Sequence, residues 1–210
     1  LYEVDTRLRP SGKDGLIAVS LASFAEYQQE RAWTWEHMAL TRARPVYGSA
    51  EGRETLARVV EGALLKERDP AQLTADAVQM RRDMAAHKLP NGPFDIKLGD
   101  GALVDLEFAV HTLQLRHRVG LHPQLERAIA DLEAEDLIPS GADPALRLLT
   151  RMLVMFRLVS PTSVEPPEAS RDLVARACGL ADWDALLAAH DEARHRVLAL
   201  WRDVAAETGE

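Results

Sequence analysis

Apolar residues recur at helical spacing through most of this chain. From Glu51 onward they return every three or four residues, the spacing of one face of an α-helix. Breaks that contain proline or glycine divide the pattern, among them Asp69-Pro70 and Pro139-Ser140-Gly141. The pattern predicts a series of helices at about 53–67, 70–88, 102–119, 122–137, 144–160, 167–178 and 183–206. Because only 5% of the residues are aromatic, we expect a mainly α fold with largely aliphatic packing in a helical bundle.

The first residues follow a different period. Strict alternation predicts a β-strand in which one face carries Glu3, Asp5, Arg7 and Arg9. Carboxylates bind hard cations and guanidinium groups pair with phosphate oxygens, so this face suits a metal ion beside a phosphate chain. An edge strand with a solvated face of salt bridges explains the same residues. The residues alone leave both interpretations open.

The segment between this strand and the helical series predicts a short α/β unit. Leu16-Ile17-Ala18-Val19 follows a turn and predicts a second strand. Ser20 is suited to cap a helix, and the apolar spacing after it predicts one or two helices that run toward Arg44-Pro45. We therefore divide the chain into an α/β remnant of one or two strands plus helix at 1–49 and a helical bundle at 50–210.

Charge and composition narrow the classes of partner. The net charge of -8 and the pI near 5.4 argue against a broad attraction to nucleic acid or to an anionic membrane, so a phosphate group must meet a local basic cluster. No apolar run approaches the roughly 20 residues that cross a bilayer. The single cysteine, Cys178, cannot form an internal disulfide or a thiolate-rich zinc site, which favours the reducing cytoplasm.

An unusual tryptophan-containing block occupies 32–45. On a helix, Trp35, Met38 and Arg42 lie on one face. Two tryptophans in three residues cannot both be buried on the same side. A purely structural interpretation therefore packs one of Trp33 and Trp35 in the core and uses the other to hold the helix to a neighbouring layer.

A glycine-containing loop leads into a helix at 94–108. Backbone amides at the start of this helix could face an anion, with Lys97 beside them. Asp105 and Glu107 are two residues apart, so they point to different sides of the helix. A carboxylate in the first turn also stabilises the helix dipole without any ligand, and this alternative stays open.

Three segments together resemble one known family. They are VDTRLRPSGKDGL at Val4–Leu16, AWTWEHMALTRARPVYG at Ala32–Gly48 and FDIKLGDGALVDLEF at Phe94–Phe108. In this order they resemble the C-terminal part of the bacterial bifunctional glutamine synthetase adenylyltransferase/adenylyl-removing enzymes. The AWTWEH form is similar to the half that adds AMP. From about residue 120 onward, the similarity is only that of a helical bundle.

The resemblance implies a fold and a reaction. Residues 1–49 would be the C-terminal remnant of a nucleotidyltransferase domain, followed by its helical bundle domain at 50–210. The family transfers AMP from ATP to a tyrosine hydroxyl of glutamine synthetase, which regulates nitrogen assimilation, with glutamine and the PII signal protein as regulators. Asp5 would be one of three carboxylates that hold Mg²⁺. The other two belong to a GS…DxD segment that this sequence lacks. We expect that segment upstream of Leu1, and we expect this chain alone to be inactive.

The resemblance also implies which other residues meet the nucleotide. Arg7 and Arg9 would support the strand end or contact phosphates, and Lys97, Asp105 and Glu107 would face the cleft from the helical domain. The sequence departs from the family at two positions. Ala102 replaces a usual second glycine, and His111 stands where glutamine is typical.

Two other functions remain open. The chain could be a regulatory, partner-binding helical module, or it could belong to the half that removes AMP by phosphate attack.

Overall fold

The computed structural model describes residue 9 and residues 14–206, and these residues form a mainly helical fold. The helices are α1 (Leu21–Glu30), α2 (Thr34–Leu40), α3 (Ala50–Leu64), α4 (Pro70–His87), α5 (Leu103–His117), α6 (Leu125–Ala134), α7 (Ala142–Val159), α8 (Glu168–Ala177) and α9 (Trp183–Ala206). The predicted helical series is confirmed, and the segment after Ser20 forms the shorter pair α1 and α2.

The second predicted strand is wrong. Residues 16–19 form no strand, and the side chains of Leu16 and Ile17 are 74% and 78% exposed. Strand-forming residues need a partner strand to pair with, and the described part of the chain contains no strand. The first predicted strand, with Asp5 and Arg7, lies outside the described residues.

Side-chain caps explain why several helices begin where they do. Ser20 Oγ accepts a hydrogen bond from the Ser23 amide at the start of α1, and Ser49 Oγ accepts one from the Gly52 amide at the start of α3. Asp69 caps α4, whose first residue is proline. Each cap satisfies an amide that has no partner within its own helix. A local signal in the sequence therefore fixes these three helix starts.

The buried apolar residues form adjoining clusters. The larger cluster is built around α5, α7 and α9, with Leu106, Leu149 and Leu186 fully buried. The smaller cluster joins α2 through α5 by the residues Met38, Leu64, Leu73, Ala77 and Leu115. Trp201 of α9 packs against both clusters. The predicted boundary between residues 49 and 50 stays a prediction, although Met38 shows that α2 packs directly on the bundle.

A helix that spans a membrane needs about 20 predominantly apolar residues. None of the described helices combines the length and the apolar character that crossing a bilayer requires.

Candidate functional site

Adjoining cavities flank helix α2. The first, which we call the α5 cavity, measures ≈ 540 Å³. It lies between α2, α4, α5 and the loop before α5, and its lining includes Met38, Met80, Met84, Lys88, Lys97, Leu98, Val104, Glu107, Phe108 and His111. The second, the α1 cavity, measures ≈ 430 Å³ and is lined by Arg9 and residues of α1 and α2. Trp35, Ala39 and Arg42 line both cavities.

Positively charged side chains gather at these cavities. Arg42, Lys88 and Lys97 line the α5 cavity. Arg9 lines the α1 cavity, where its Nε donates a 3.0 Å hydrogen bond to the Gly15 carbonyl. The lining of the α5 cavity also includes the carboxylates of Asp83 and Glu107, so its charged residues are mixed, with a small excess of positive charge.

Glu107 and Arg42 form an ion pair at the mouth of the α5 cavity. Arg42 Nη1 lies 3.6 Å from Glu107 Oε2, and the two side chains are 50% and 34% exposed. An ion pair this exposed contributes little to stability. It does restrict where the guanidinium group points. The predicted residues Lys97 and Glu107 are therefore brought to one cavity, and Arg9 lies at the cavity next to it.

The purely structural interpretation of the tryptophan block, in which one of Trp33 and Trp35 packs in the core, is wrong. Neither tryptophan is in the core, since Trp33 is 71% and Trp35 is 38% exposed. The buried residues of the block are Glu36, His37, Met38 and Thr41. Oε2 of Glu36 accepts hydrogen bonds from the Trp33 amide at 2.9 Å and from the Tyr27 hydroxyl at 3.0 Å. The predicted common face of Trp35, Met38 and Arg42 is confirmed, because all three line the α5 cavity.

The loop before α5 fixes the position of Lys97. The carboxylate of Asp95 accepts hydrogen bonds from the amides of Asn91, Lys97 and Leu98. Burial disfavours the charged carboxylate, but these backbone hydrogen bonds together hold the pKa of Asp95 below its usual value. Gly101 has a φ of +70°, and a Cβ there would collide with the carbonyl of Arg194. Lys97 is thus anchored through its own backbone while its side chain stays exposed.

Asp105 lies beneath the cavities and does not line them. Its side chain is buried, with Oδ1 2.5 Å from Arg81 Nε and Oδ2 2.7 Å from the Gly101 amide. The resemblance implied that Asp105 faces the cleft together with Lys97 and Glu107. In the structure, Asp105 is separated from that pair. Asp105 and Glu107 do point to different sides of α5, as their spacing predicts. The charge of Asp105 is already satisfied by Arg81, which lies on a separate helix, α4.

The start of α5 is not an anion site. The amides of Leu103, Val104 and Asp105 donate to the carbonyls of Ile96, Lys97 and Ala102, each at 3.1 Å. The amides that could have faced a ligand are therefore already hydrogen-bonded to carbonyl groups of the preceding loop. Ala102 is buried at an ordinary negative φ, so its methyl group packs in the interior. The alternative interpretation, in which the acidic first turn serves the helix itself, accounts for this region.

His111 is a cavity residue to which the sequence analysis assigned no role. Its Nδ1 lies 2.9 Å from Thr41 Oγ1 and 2.8 Å from Gln114 Oε1. The hydroxyl of Thr41 donates its only proton to the Met38 carbonyl, so Thr41 Oγ1 can only accept from the histidine. The amide oxygen of Gln114 can also only accept. Nδ1 therefore carries the proton of the ring. Burial lowers the pKa of His111 to about 4, so the ring is neutral near pH 7. The one signal in the sequence is the departure from the family's glutamine.

The sequence is similar to known proteins along most of its length. Residues 1–59 match the family described as glutamate-ammonia ligase adenylyltransferase, and residues 71–205 match the family described as GlnD PII-uridylyltransferase. Similar curated proteins carry the name bifunctional glutamine synthetase adenylyltransferase/adenylyl-removing enzyme. One from Bradyrhizobium diazoefficiens is 38% identical over 96% of this chain and 21% of its own length. Those from Rhodopseudomonas palustris BisB5 and Xanthobacter autotrophicus are 37% and 38% identical over 96% and 89% of this chain, and over 21% and 20% of their own lengths.

These matches define first a class and then a family. Both family descriptions name nucleotidyltransferases, and together they cover the α1–α2 region and the helical bundle. The chain belongs to the family of glutamine synthetase adenylyltransferase/adenylyl-removing enzymes. It spans about a fifth of the length of the curated relatives that it matches.

Proposed function

We propose that this chain forms the helical side of an active site that transfers AMP from ATP to a tyrosine hydroxyl of glutamine synthetase. The observation that carries the proposal is the α5 cavity, where Lys97, Arg42 and Lys88 meet an apolar wall that includes Met38 and Phe108. A nucleotide needs both parts, because its phosphates require cations and its base requires an apolar surface.

The charged residues singled out above have different proposed parts in holding the nucleotide. Lys97 and Arg42 bind the phosphate oxygens that carry negative charge when pyrophosphate leaves. Glu107 orients Arg42 through their ion pair and offers carboxylate oxygens to the hydroxyl groups of the ribose. Arg9, which lines the α1 cavity, and Arg7, which is outside the described residues, are proposed to contact the phosphate chain. Asp105 supports this surface through Arg81 and the Gly101 amide, without contact to the nucleotide.

Magnesium is expected from the family's reaction, but the described residues do not supply its site. No group of three histidine, cysteine or acidic residues within the described ranges is placed to hold a metal ion. Glu107 is moreover paired with Arg42. We propose that Asp5, outside the described residues, is a carboxylate ligand of Mg²⁺. The residues of the α5 cavity are assigned only to binding and orienting the nucleotide.

The partners follow from the proposed reaction. Glutamine synthetase is the protein substrate that the relatives' names give. Glutamine and the PII signal protein are the proposed regulators, and the reducing cytoplasm is the proposed compartment. The single cysteine, Cys178, is buried, and burial raises the pKa of its thiol, which suits a structural role.

An AMP-transfer assay tests the proposal with the purified enzyme that carries this chain. Incubation with glutamine synthetase and ATP labelled at the α-phosphate should label a tyrosine and release pyrophosphate, and Asp5→Asn should remove this activity. A second assay supplies adenylylated glutamine synthetase and phosphate. Loss of ADP release in Asp5→Asn, with the labelling of the first assay retained, would show that this chain serves the AMP-removing reaction instead.

A further inference from the structure

Trp35 is an accessible aromatic side chain on the wall of the α5 cavity. It is 38% exposed, and it lines the α1 cavity as well. Leaving so large an apolar ring in solvent forgoes the stabilisation that its burial would give. An aromatic ring that a ligand can reach is a surface on which a planar group can stack.

Other aromatic side chains of the bundle stack on one another, but Trp35 does not. The ring centroids of Phe94 and Phe156 are 5.2 Å apart, and those of Phe108 and Trp201 are 5.9 Å apart. Within the described ranges, the ring of Trp35 has no such contact with a second aromatic ring or with a cation above its plane. Its stacking surface is therefore not taken up by another aromatic or cationic group in this part of the chain.

The neighbours of Trp35 indicate which planar ligand fits. Met38 and Phe108 add apolar surface to the same cavity. Arg42 follows Trp35 by seven residues, so the two lie on one face of the helix and its closing turn, about 10 Å apart along the axis. A ligand with a ring at one end and a phosphate at the other can contact both. The cavity volume of ≈ 540 Å³ is within the range that holds such a ligand.

We propose that the indole ring of Trp35 stacks on the adenine base of the ATP whose AMP is transferred. This assignment rests on the proposed function, since it places the base of the same nucleotide. The charged lining is mixed, because the carboxylates of Asp83 and Glu107 accompany its cations, and it does not by itself select a nucleotide. The stack supplies affinity that the charges do not. Because every base has an aromatic face, Trp35 sets how tightly the nucleotide binds rather than which base is chosen.

The test measures AMP transfer to glutamine synthetase by the enzyme that carries this chain. In Trp35→Leu, we expect KM for ATP to rise by about tenfold or more, with kcat nearly unchanged, because the base is held equally before and during the reaction. Trp35→Phe should keep most of the affinity, since a phenyl ring also stacks. Trp33→Leu removes a more exposed tryptophan that lines neither cavity, so this matched control should keep the wild-type KM.

Inorganic triphosphate separates a lost base contact from a distorted cavity. It competes for the phosphate contacts but has no base, so its inhibition constant should be the same in wild type and in Trp35→Leu. Neither KM nor this constant depends on how much of the enzyme is folded.

The possible results separate the two proposals. The stacking role alone would be overturned by an unchanged KM in Trp35→Leu, by an inhibition constant that rises together with KM, or by equal rises in KM for Trp35→Phe and Trp35→Leu. If the wild-type enzyme transfers no AMP from ATP, or is not inhibited by triphosphate, the proposed function is overturned and this assignment with it.

Discussion

Buried polar residues hold the helices and the loop that line the candidate site, and Asp105 is one of them. It holds Arg81 of α4 and the Gly101 amide at the same time. The family pattern singles out this carboxylate, but its partner is on a different helix. Local spacing could therefore not show that its charge is already paired. Its place in the site became clear only from the packing of α4 against α5.

Replacing Asp105 by alanine should strongly destabilise the fold. The change leaves Arg81 as a buried charge without its partner, and we expect the free energy of unfolding to fall by about 3 kcal/mol. Urea unfolding measures this loss. Asp143→Ala is the control, because Asp143 pairs with an exposed arginine one helical turn away and should contribute about 0.5 kcal/mol or less. Equal effects of the two variants would contradict the supporting role of Asp105.

Gly101 should tolerate no side chain. At its φ of +70°, an added Cβ meets the carbonyl of Arg194, so Gly101→Ala must displace the loop or helix α9. We expect a loss of about 2 kcal/mol or more in the free energy of unfolding. Gly62→Ala lies within α3, where the nearest atom is 3.9 Å away. There we expect a gain of about 0.5–1 kcal/mol. The same loss at both positions would show that close packing at Gly101 is not the cause.

At the scale of elements, α2 depends on its neighbours. It has only seven residues, and a helix that short is not stable on its own. His37 Nε2 donates to the Gln28 carbonyl at 2.9 Å, and Nδ1 accepts from Arg68 Nη2 at 3.1 Å. Arg68 also donates to the carbonyls of Ala63 and Leu64 at the end of α3. Helix α2, which lines both cavities, is thus connected to α1 and α3 through one histidine.

Removing Arg68 should loosen α2 before it unfolds the whole chain. In Arg68→Ala, we expect hydrogen exchange at the α2 amides to rise by about tenfold, with a smaller change in α5 and α9. Exchange followed by mass spectrometry measures this difference. Arg58→Ala on the exposed surface of α3 should leave exchange in α2 as it is. A uniform rise across all helices after Arg68→Ala would instead indicate a global loss of stability.

The elements differ in how much the sequence reveals about them. Helices α3 to α9 were predicted because apolar spacing and capping residues are local signals. The strand at 16–19 was predicted by the same local logic and is wrong, since a strand requires a partner that local pattern does not supply. The cavities could not be predicted as such. Arg42, Lys97 and His111 are far apart in sequence and meet only through packing, although the family resemblance had already singled out Lys97 and Glu107.

For the whole molecule, acid should lower stability through buried neutral histidines. Burial lowers the pKa of His111 and of His190 from 6.5 to about 4. Between these values the unfolded chain binds protons that the folded chain excludes, so the free energy of unfolding falls as the pH falls. Each histidine contributes up to about 1.4 kcal/mol per pH unit in this window.

Urea unfolding at several pH values between 4 and 7 measures this slope. His190→Leu should reduce it, because one proton-binding difference is removed, whereas His195→Gln on the exposed surface of α9 should preserve it. A slope that is the same in wild type and His190→Leu would contradict the prediction that His190 contributes to it.

The central claim is that the α5 cavity binds the nucleotide whose AMP is transferred, and Lys97 tests it most directly. In the enzyme that carries this chain, Lys97→Met should lower kcat/KM for labelling glutamine synthetase from ATP by about a hundredfold. The urea midpoint should stay the same, since Lys97 is exposed. Lys66→Met, which removes an exposed lysine outside both cavities, should transfer AMP at the wild-type rate. Wild-type transfer by Lys97→Met would contradict the account.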